Sequence, residues 1–181
     1  MSGNGISSLV GLVRTVQIIV GALTGGCVTF LVVVLVAVGV PGLPDSPPIM
    51  AWVAAVIAAV MVLLRLMIPA IFVARSRRKI RQGAFKSPIG KFPAVSLEAA
   101  GPDSAQNALA QVFLSKTILA AAILEGAVFL LLVAYLVEHA PMSLMLAVLL
   151  IVALALHVPT QSQAEGWLQD QTRLLGEERA F

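Results

Sequence analysis

Apolar residues gather into four long stretches, and the polar and charged residues fall between them. The first stretch runs from about Val16 to Val40, after Arg14 and ahead of Pro41-Gly42-Leu43-Pro44. The second runs from about Ile49 to Val73, ahead of a basic run from Arg75 to Arg81. The third covers about Val112 to Val137, ahead of Glu138, and the fourth about Met142 to Val158, ahead of Pro159. A hydrocarbon core ~30 Å thick takes ~20 helical residues at ~1.5 Å each. The first three stretches exceed that length and the fourth is short but within the usual range. A lone strand would leave its backbone groups unpaired in lipid, so each stretch predicts a transmembrane helix.

Two polar segments also carry structure. After Lys91 the chain is punctuated by proline and glycine as far as Pro102. Asp103 or Ser104 then makes an N-cap, and no breaker follows, so one helix is expected from about 104 to 137 with its first turns outside the membrane. In the tail, Ser162-Gln163-Ala164-Glu165 fits a capping box. Ala164, Trp167, Leu168, Gln171, Leu174 and Leu175 follow at helical spacing, which predicts an amphipathic helix over 162–176. That helix would pack on the protein's own loop, lie in the membrane interface, or take up a soluble partner. The expected fold is all-α: a polytopic four-helix membrane bundle with a C-terminal cytoplasmic or interfacial helix.

Composition agrees with a membrane location. Hydrophobic residues make up 59% of the 181 and charged residues 12%, against roughly half and roughly a quarter in soluble domains. The water-soluble remainder is too short to bury a second core, so residues 1–181 form a single membrane domain. The first stretch is far longer than the ~7–15 apolar residues of a cleaved signal peptide, and is expected to stay as an anchor. The one cysteine, Cys27, excludes an intrachain disulfide. His139 and His157 lie in different segments without cysteine nearby, so no metal or other cofactor is expected.

Charge sets the orientation. The connection between the second and third stretches carries Arg75, Arg77, Arg78, Lys79, Arg81, Lys86 and Lys91, with Lys116 at its far end. The other two connections carry only Asp45 and Glu138. Lysine and arginine stay cytoplasmic. The expected location is therefore the bacterial cytoplasmic (inner) membrane, multi-pass, with both termini and the 75–103 loop in the cytoplasm. Arg75, Arg77, Arg78, Lys79 and Arg81 would anchor to anionic headgroups, at about 1 kcal/mol for each basic residue near the surface. The sharper reading, recognition of a particular lipid or of nucleic acid, is disfavoured for nucleic acid because no aromatic side chains are interleaved for base stacking.

Besides Lys116 near the start of the third stretch, two full charges lie deep inside the apolar stretches: Arg65 in the second and Glu125 in the third. Arg65 precedes Arg75 by ten residues and Glu125 follows Lys116 by nine, so both sit roughly 14–15 Å from the cytoplasmic boundary. An unpaired charge at mid-membrane costs at least ~2.5–3.5 kcal/mol, and the two stretches are joined on one side, so mutual pairing of Arg65 with Glu125 is the simplest relief. Such a pair is either a lock between helices or part of an ion or proton site. An arginine partner would hold the carboxylate ionised and oppose proton cycling. Pro69, one turn beyond Arg65, predicts a kink. Close helix packing is expected at small residues, namely Gly21 and Gly25 in the first stretch, Ala122 and Gly126 in the third, and Ala54/Ala58 and Ala55/Ala59 in the second.

Ala122-Ile-Leu-Glu125-Gly126-Ala-Val-Phe129, with Ala134-Tyr135-Leu136, Arg14-Thr-Val-Gln-Ile-Ile-Val-Gly-Ala and His157-Val-Pro159-Thr160, resembles a family of four-helix membrane proteins of planctomycetes and related bacteria. That resemblance implies the fold and brings no activity with it. Locally, a mid-helix carboxylate followed by glycine and aromatics resembles the proteolipid subunit of rotary ATPases. The partner stretch Ile49–Val73 lacks glycine, however, and the connecting loop is much longer than in that hairpin. Ala22-Leu-Thr24-Gly25 also resembles Ile123-Leu-Glu125-Gly126, which as an internal repeat would set Thr24 opposite Glu125.

No phosphate loop and no nucleophile–base spacing is present. The expected role is a non-enzymatic subunit or scaffold of a membrane assembly, with the bilayer, anionic lipid, other membrane subunits or further copies of itself as partners. The alternative is a small proton-, ion- or solute-transport component using Glu125.

Overall fold

The computed structural model describes residues 3–39, 47–81 and 103–179. Among them the chain is helical throughout, in five elements: α1 (Gly3–Val38), α2 (Ile49–Arg81), α3 (Asp103–Glu138), α4 (Pro141–Ala155) and α5 (Gln161–Arg179). Three segments, Val10–Val38, Ile49–Ser76 and Ala108–Glu138, are long and apolar enough to cross a membrane. The 15 residues of α4 make about 22 Å of helix.

The elements match the apolar stretches, and their ends differ where tertiary burial or intrinsic propensity outweighs polarity. α1 begins at Gly3, well before the expected Val16, because Leu12 and Val13 pack with Phe113 and Ala164 and hold the polar first turns in helix. α2 continues through the basic run to Arg81, where the sequence predicts a loop from Arg75. Arginine and lysine are good helix formers, so their charge ends the apolar stretch without ending the helix. α2 is also unbroken at Pro69. Pro69 has no N–H to give, which leaves the Arg65 carbonyl without its intrahelical donor. Lys86, Lys91 and the proline- and glycine-rich segment that follows lie outside the described residues, as do Pro41 to Pro44.

The chain divides into two compact units. One comprises Met1–Ile18, Pro69–Ile118 and Pro159–Phe181, and the other Ile19–Ile68 and Leu119–Val158.

In the second unit α3 is the hub. Half of its apolar window is buried, against 17% for α1 and 6% for α2, so α3 contacts protein around much of its surface while α2 presents a long apolar face outward. α1 runs parallel to α3. Phe30 stacks on Phe129 with ring centroids 5.1 Å apart, and further along the fully buried Tyr135 donates its hydroxyl to the Gly39 carbonyl at 3.1 Å. α2 runs antiparallel to α3. Met61 lies against Gly126, and at the far end Glu138 accepts hydrogen bonds from the backbone N–H groups of Met50 and Ala51 at 2.7 Å each. A carboxylate there satisfies two of the free donors of the first turn and faces the positive end of the α2 dipole. The link from α3 to α4 is only His139 and Ala140. His139 takes a left-handed conformation (φ 54) to reverse the chain, and Pro141 starts α4, where its missing N–H costs nothing.

In the first unit α5 folds back on the early turns of α3. Its start is a capping box two residues earlier than expected. The Thr160 N–H donates to Gln163 Oε1 at 3.2 Å and the Gln163 N–H returns to Thr160 Oγ1 at 3.4 Å. Threonine followed three residues later by glutamine meets the same rule as Ser162 and Glu165, and the chain uses the earlier pair. Leu168 packs with Ala108, Leu109 and Val112, with Phe72 and Val73 alongside. Ala164 packs with Val13 and Phe113. Trp167 stacks on Phe113 at 5.4 Å, and the Lys116 ammonium sits 3.9 Å above the Trp167 ring centroid and 4.8 Å above that of Phe113. Of the face expected from spacing, Ala164, Leu168 and Gln171 are buried and Leu174 is exposed.

Candidate functional site

The helix register fixes how the two intramembrane charges relate. Met61 faces Gly126 and Ala51 faces Glu138, so each step along α2 is matched by a step back along α3. Four residues beyond Met61, Arg65 stands level with Ala122 to Leu124, less than one helical turn from Glu125. Equal depth, as the sequence suggests, is what the register gives.

Their faces differ. Glu125 turns toward α1, with Oε1 3.9 Å from the point a Cβ on Gly26 would occupy. The next residue, Gly126, turns toward α2, where an added Cβ would come 3.3 Å from Met61 Cε. Successive residues on a helix point ~100° apart, so α3 offers α2 its glycine and keeps its carboxylate for α1. Arg65, four residues beyond Met61, lies on nearly the same face of α2 as Met61. Among the described residues Arg173 and Glu177 form an ion pair, while Arg65 and Glu125 do not. The two charges stand at a similar level along α2 and α3, and no ion pair joins them among the described residues. Both remain partly exposed on the protein surface.

The surroundings of Glu125 differ from the repeat-based expectation as well. Thr24 does not face it. Its hydroxyl instead donates to the Val20 carbonyl at 2.8 Å, one turn back on α1. On α1, Gly26 lies beside the carboxylate, and the next residue, Cys27, is fully buried. The sequence contains the signal in the pair Gly25-Gly26, of which only the first fits a small-xxx-small spacing with Gly21.

The packing residues divide. Gly126 makes the expected close approach. Gly21 and Gly25 have nothing within 4 Å of an added Cβ, and Ala122 is exposed. Ala54 and Ala58 are buried. Ala55, Ala58 and Ala59 line an apolar groove of about 400 Å³ with Val62, Leu63, Leu131, Leu146 and Leu150. These side chains offer no polar group to orient a ligand and suit a hydrocarbon chain.

Of the basic run, Arg75 and Arg78 are exposed on the polar continuation of α2. The side chains of Arg77, Lys79 and Arg81 lie outside the described residues. Among the described residues the protein is helical, with three helices long and apolar enough to span a membrane. No family model, no curated protein and no solved structure matches the chain.

Proposed function

We propose that the chain is a non-enzymatic subunit of an assembly in the bacterial cytoplasmic membrane, spanning four times with both termini in the cytoplasm. The observation that carries this reading is Glu125. It is a carboxylate at mid-span, partly exposed, and among the described residues no cation of its own chain pairs with it. Lipid supplies no counter-charge at that depth, and an intramembrane charge left unpaired costs several kcal/mol. A partner in the membrane removes the cost. The fourth crossing is supported by α5, which packs on the first turns of α3. A chain that leaves the far end of α3 has thus returned to its start, and α4 is the apolar segment available. A helix of that length crosses with modest local thinning of the bilayer. Arg75 and Arg78, exposed beyond the apolar part of α2, suit anionic headgroups on the cytoplasmic side.

Purification from native membranes in mild detergent tests the assembly reading. The wild-type chain is expected in a complex of fixed stoichiometry that Glu125→Gln weakens. A wild-type chain recovered alone at every detergent ratio overturns it.

One observation favours a second reading. A carboxylate free of an arginine can exchange protons or bind a cation, which a locked pair resists. In that case the chain is a small transport component working at Glu125. Gradient-dependent flux in proteoliposomes, abolished by Glu125→Gln, would identify it.

A further inference from the structure

Resting on the assembly reading, we infer that the partner meeting Glu125 is a second copy of this chain, which presents Arg65. Copies inserted by one charge rule stand parallel in the membrane, so a residue can only meet partner residues at its own depth. Arg65 and Glu125 share a depth, carry opposite charge and have no ion-pair partner among the described residues of their own chain. Glu125 lies on the side of α1. A contact between the Arg65 side of one copy and the Glu125 side of the next pairs both charges without any further component. Like-with-like contacts would set Arg65 against Arg65 and Glu125 against Glu125.

The two sides also fit in shape. Around Arg65, α2 exposes Leu63, Leu66 and Met67. On α1, Gly21 and Gly25 have nothing within 4 Å of an added Cβ. Bulky side chains on one copy can settle over the glycines of another, and such close approach drives helix association where lipid provides no hydrophobic force. Snorkelling does not relieve Arg65 either: it lies about 15 Å from the cytoplasmic end marked by Arg75, and its own carbonyl has lost a donor to Pro69. The contact joins two different faces, so it is heterologous and closes as a ring when the rotation between copies permits.

Charge reversal tests this. Chains bearing two different tags are co-expressed and co-purified in mild detergent, and copies per particle are counted by photobleaching in liposomes. Wild-type copies associate. Arg65→Glu alone and Glu125→Arg alone each lose self-association by about tenfold or more, which corresponds to at least ~1.4 kcal/mol. Mixed together, the two reversed chains recover association. The new carboxylate at position 65 of one chain then meets the new guanidinium at position 125 of the other, while the native pair forms at the alternate contact. Monomeric wild-type protein overturns the proposal, as do reversed chains that associate as well as wild type. Reversed chains that fail both alone and mixed overturn it too. A wild-type chain that binds a different membrane protein through Glu125 but never itself overturns the second copy and leaves the assembly reading standing. Absence of any partner removes both.

Discussion

Glu138, at the end of α3, holds the start of α2 by accepting a hydrogen bond from the Ala51 N–H at 2.7 Å, with the Met50 N–H as its second donor at the same distance. One carboxylate thus joins two antiparallel helices and sets the register that carries Arg65 to the level of Glu125. Glu138→Gln keeps an acceptor but loses the charge facing the helix dipole. It should lower stability by about 0.5–2 kcal/mol, in the range of capping losses. Thermal unfolding in detergent reads the change, and an unshifted midpoint would speak against the cap.

The tail helix depends on its aromatic contact. Trp167→Ala removes the ring that stacks on Phe113 and carries the Lys116 ammonium. Amide exchange across Ala164–Gln171 should rise by more than an order of magnitude. Lys116→Met removes the cation–π attraction alone, worth about 0.5–1 kcal/mol at a partly exposed site, and should raise exchange only a few-fold. Equal protection in all three chains would refute docking through this pair.

The helices and their order are legible in the sequence because each apolar stretch is long and its boundaries are charged. The level of Arg65 and Glu125 is legible for the same reason: rise per residue is fixed. Rotation is not. Whether Glu125 looks toward α1 or α2 depends on one ~100° step, decided by Gly126 taking Met61. Apolar residues surround both charges on every side, so no periodic pattern reveals the face. The same holds for Gly21 and Gly25, whose spacing is right for a contact and where an added Cβ meets nothing within 4 Å among the described residues. At Thr160 the cap escapes a sequence reading because two neighbouring segments satisfy one rule.

The proposed topology rests on the basic residues. Cysteines placed at Ser46 and Ser87, in a chain with Cys27 replaced by serine, should label differently in intact cells. A membrane-impermeant maleimide should reach position 46 from outside and position 87 only after permeabilisation. The opposite pattern would invert the assignment.

Gly26 and Gly25 should respond differently to bulk. A Cβ at Gly26 already lies at contact distance from Glu125 Oε1, so Gly26→Leu must displace the carboxylate and should cost about 0.5–1 kcal/mol. A Cβ at Gly25 meets no described atom of its own chain within 4 Å, so Gly25→Leu should leave the unfolding midpoint of the isolated chain unchanged or higher. Equal losses would show that the two glycines are not distinguished in this way.

Within one chain Glu125 faces α1 at Gly26 and forms no ion pair with Arg65. Intrachain disulfide formation measures this directly, in a Cys27→Ser background diluted with excess untagged chain to suppress contacts between copies. Under mild oxidation in the membrane, the Gly26→Cys/Glu125→Cys chain should be the faster of two pairs to form its disulfide. The Arg65→Cys/Glu125→Cys chain should form little or none. Rapid closure between positions 65 and 125, with none between 26 and 125, would contradict the arrangement and return the two charges to a pair inside a single chain.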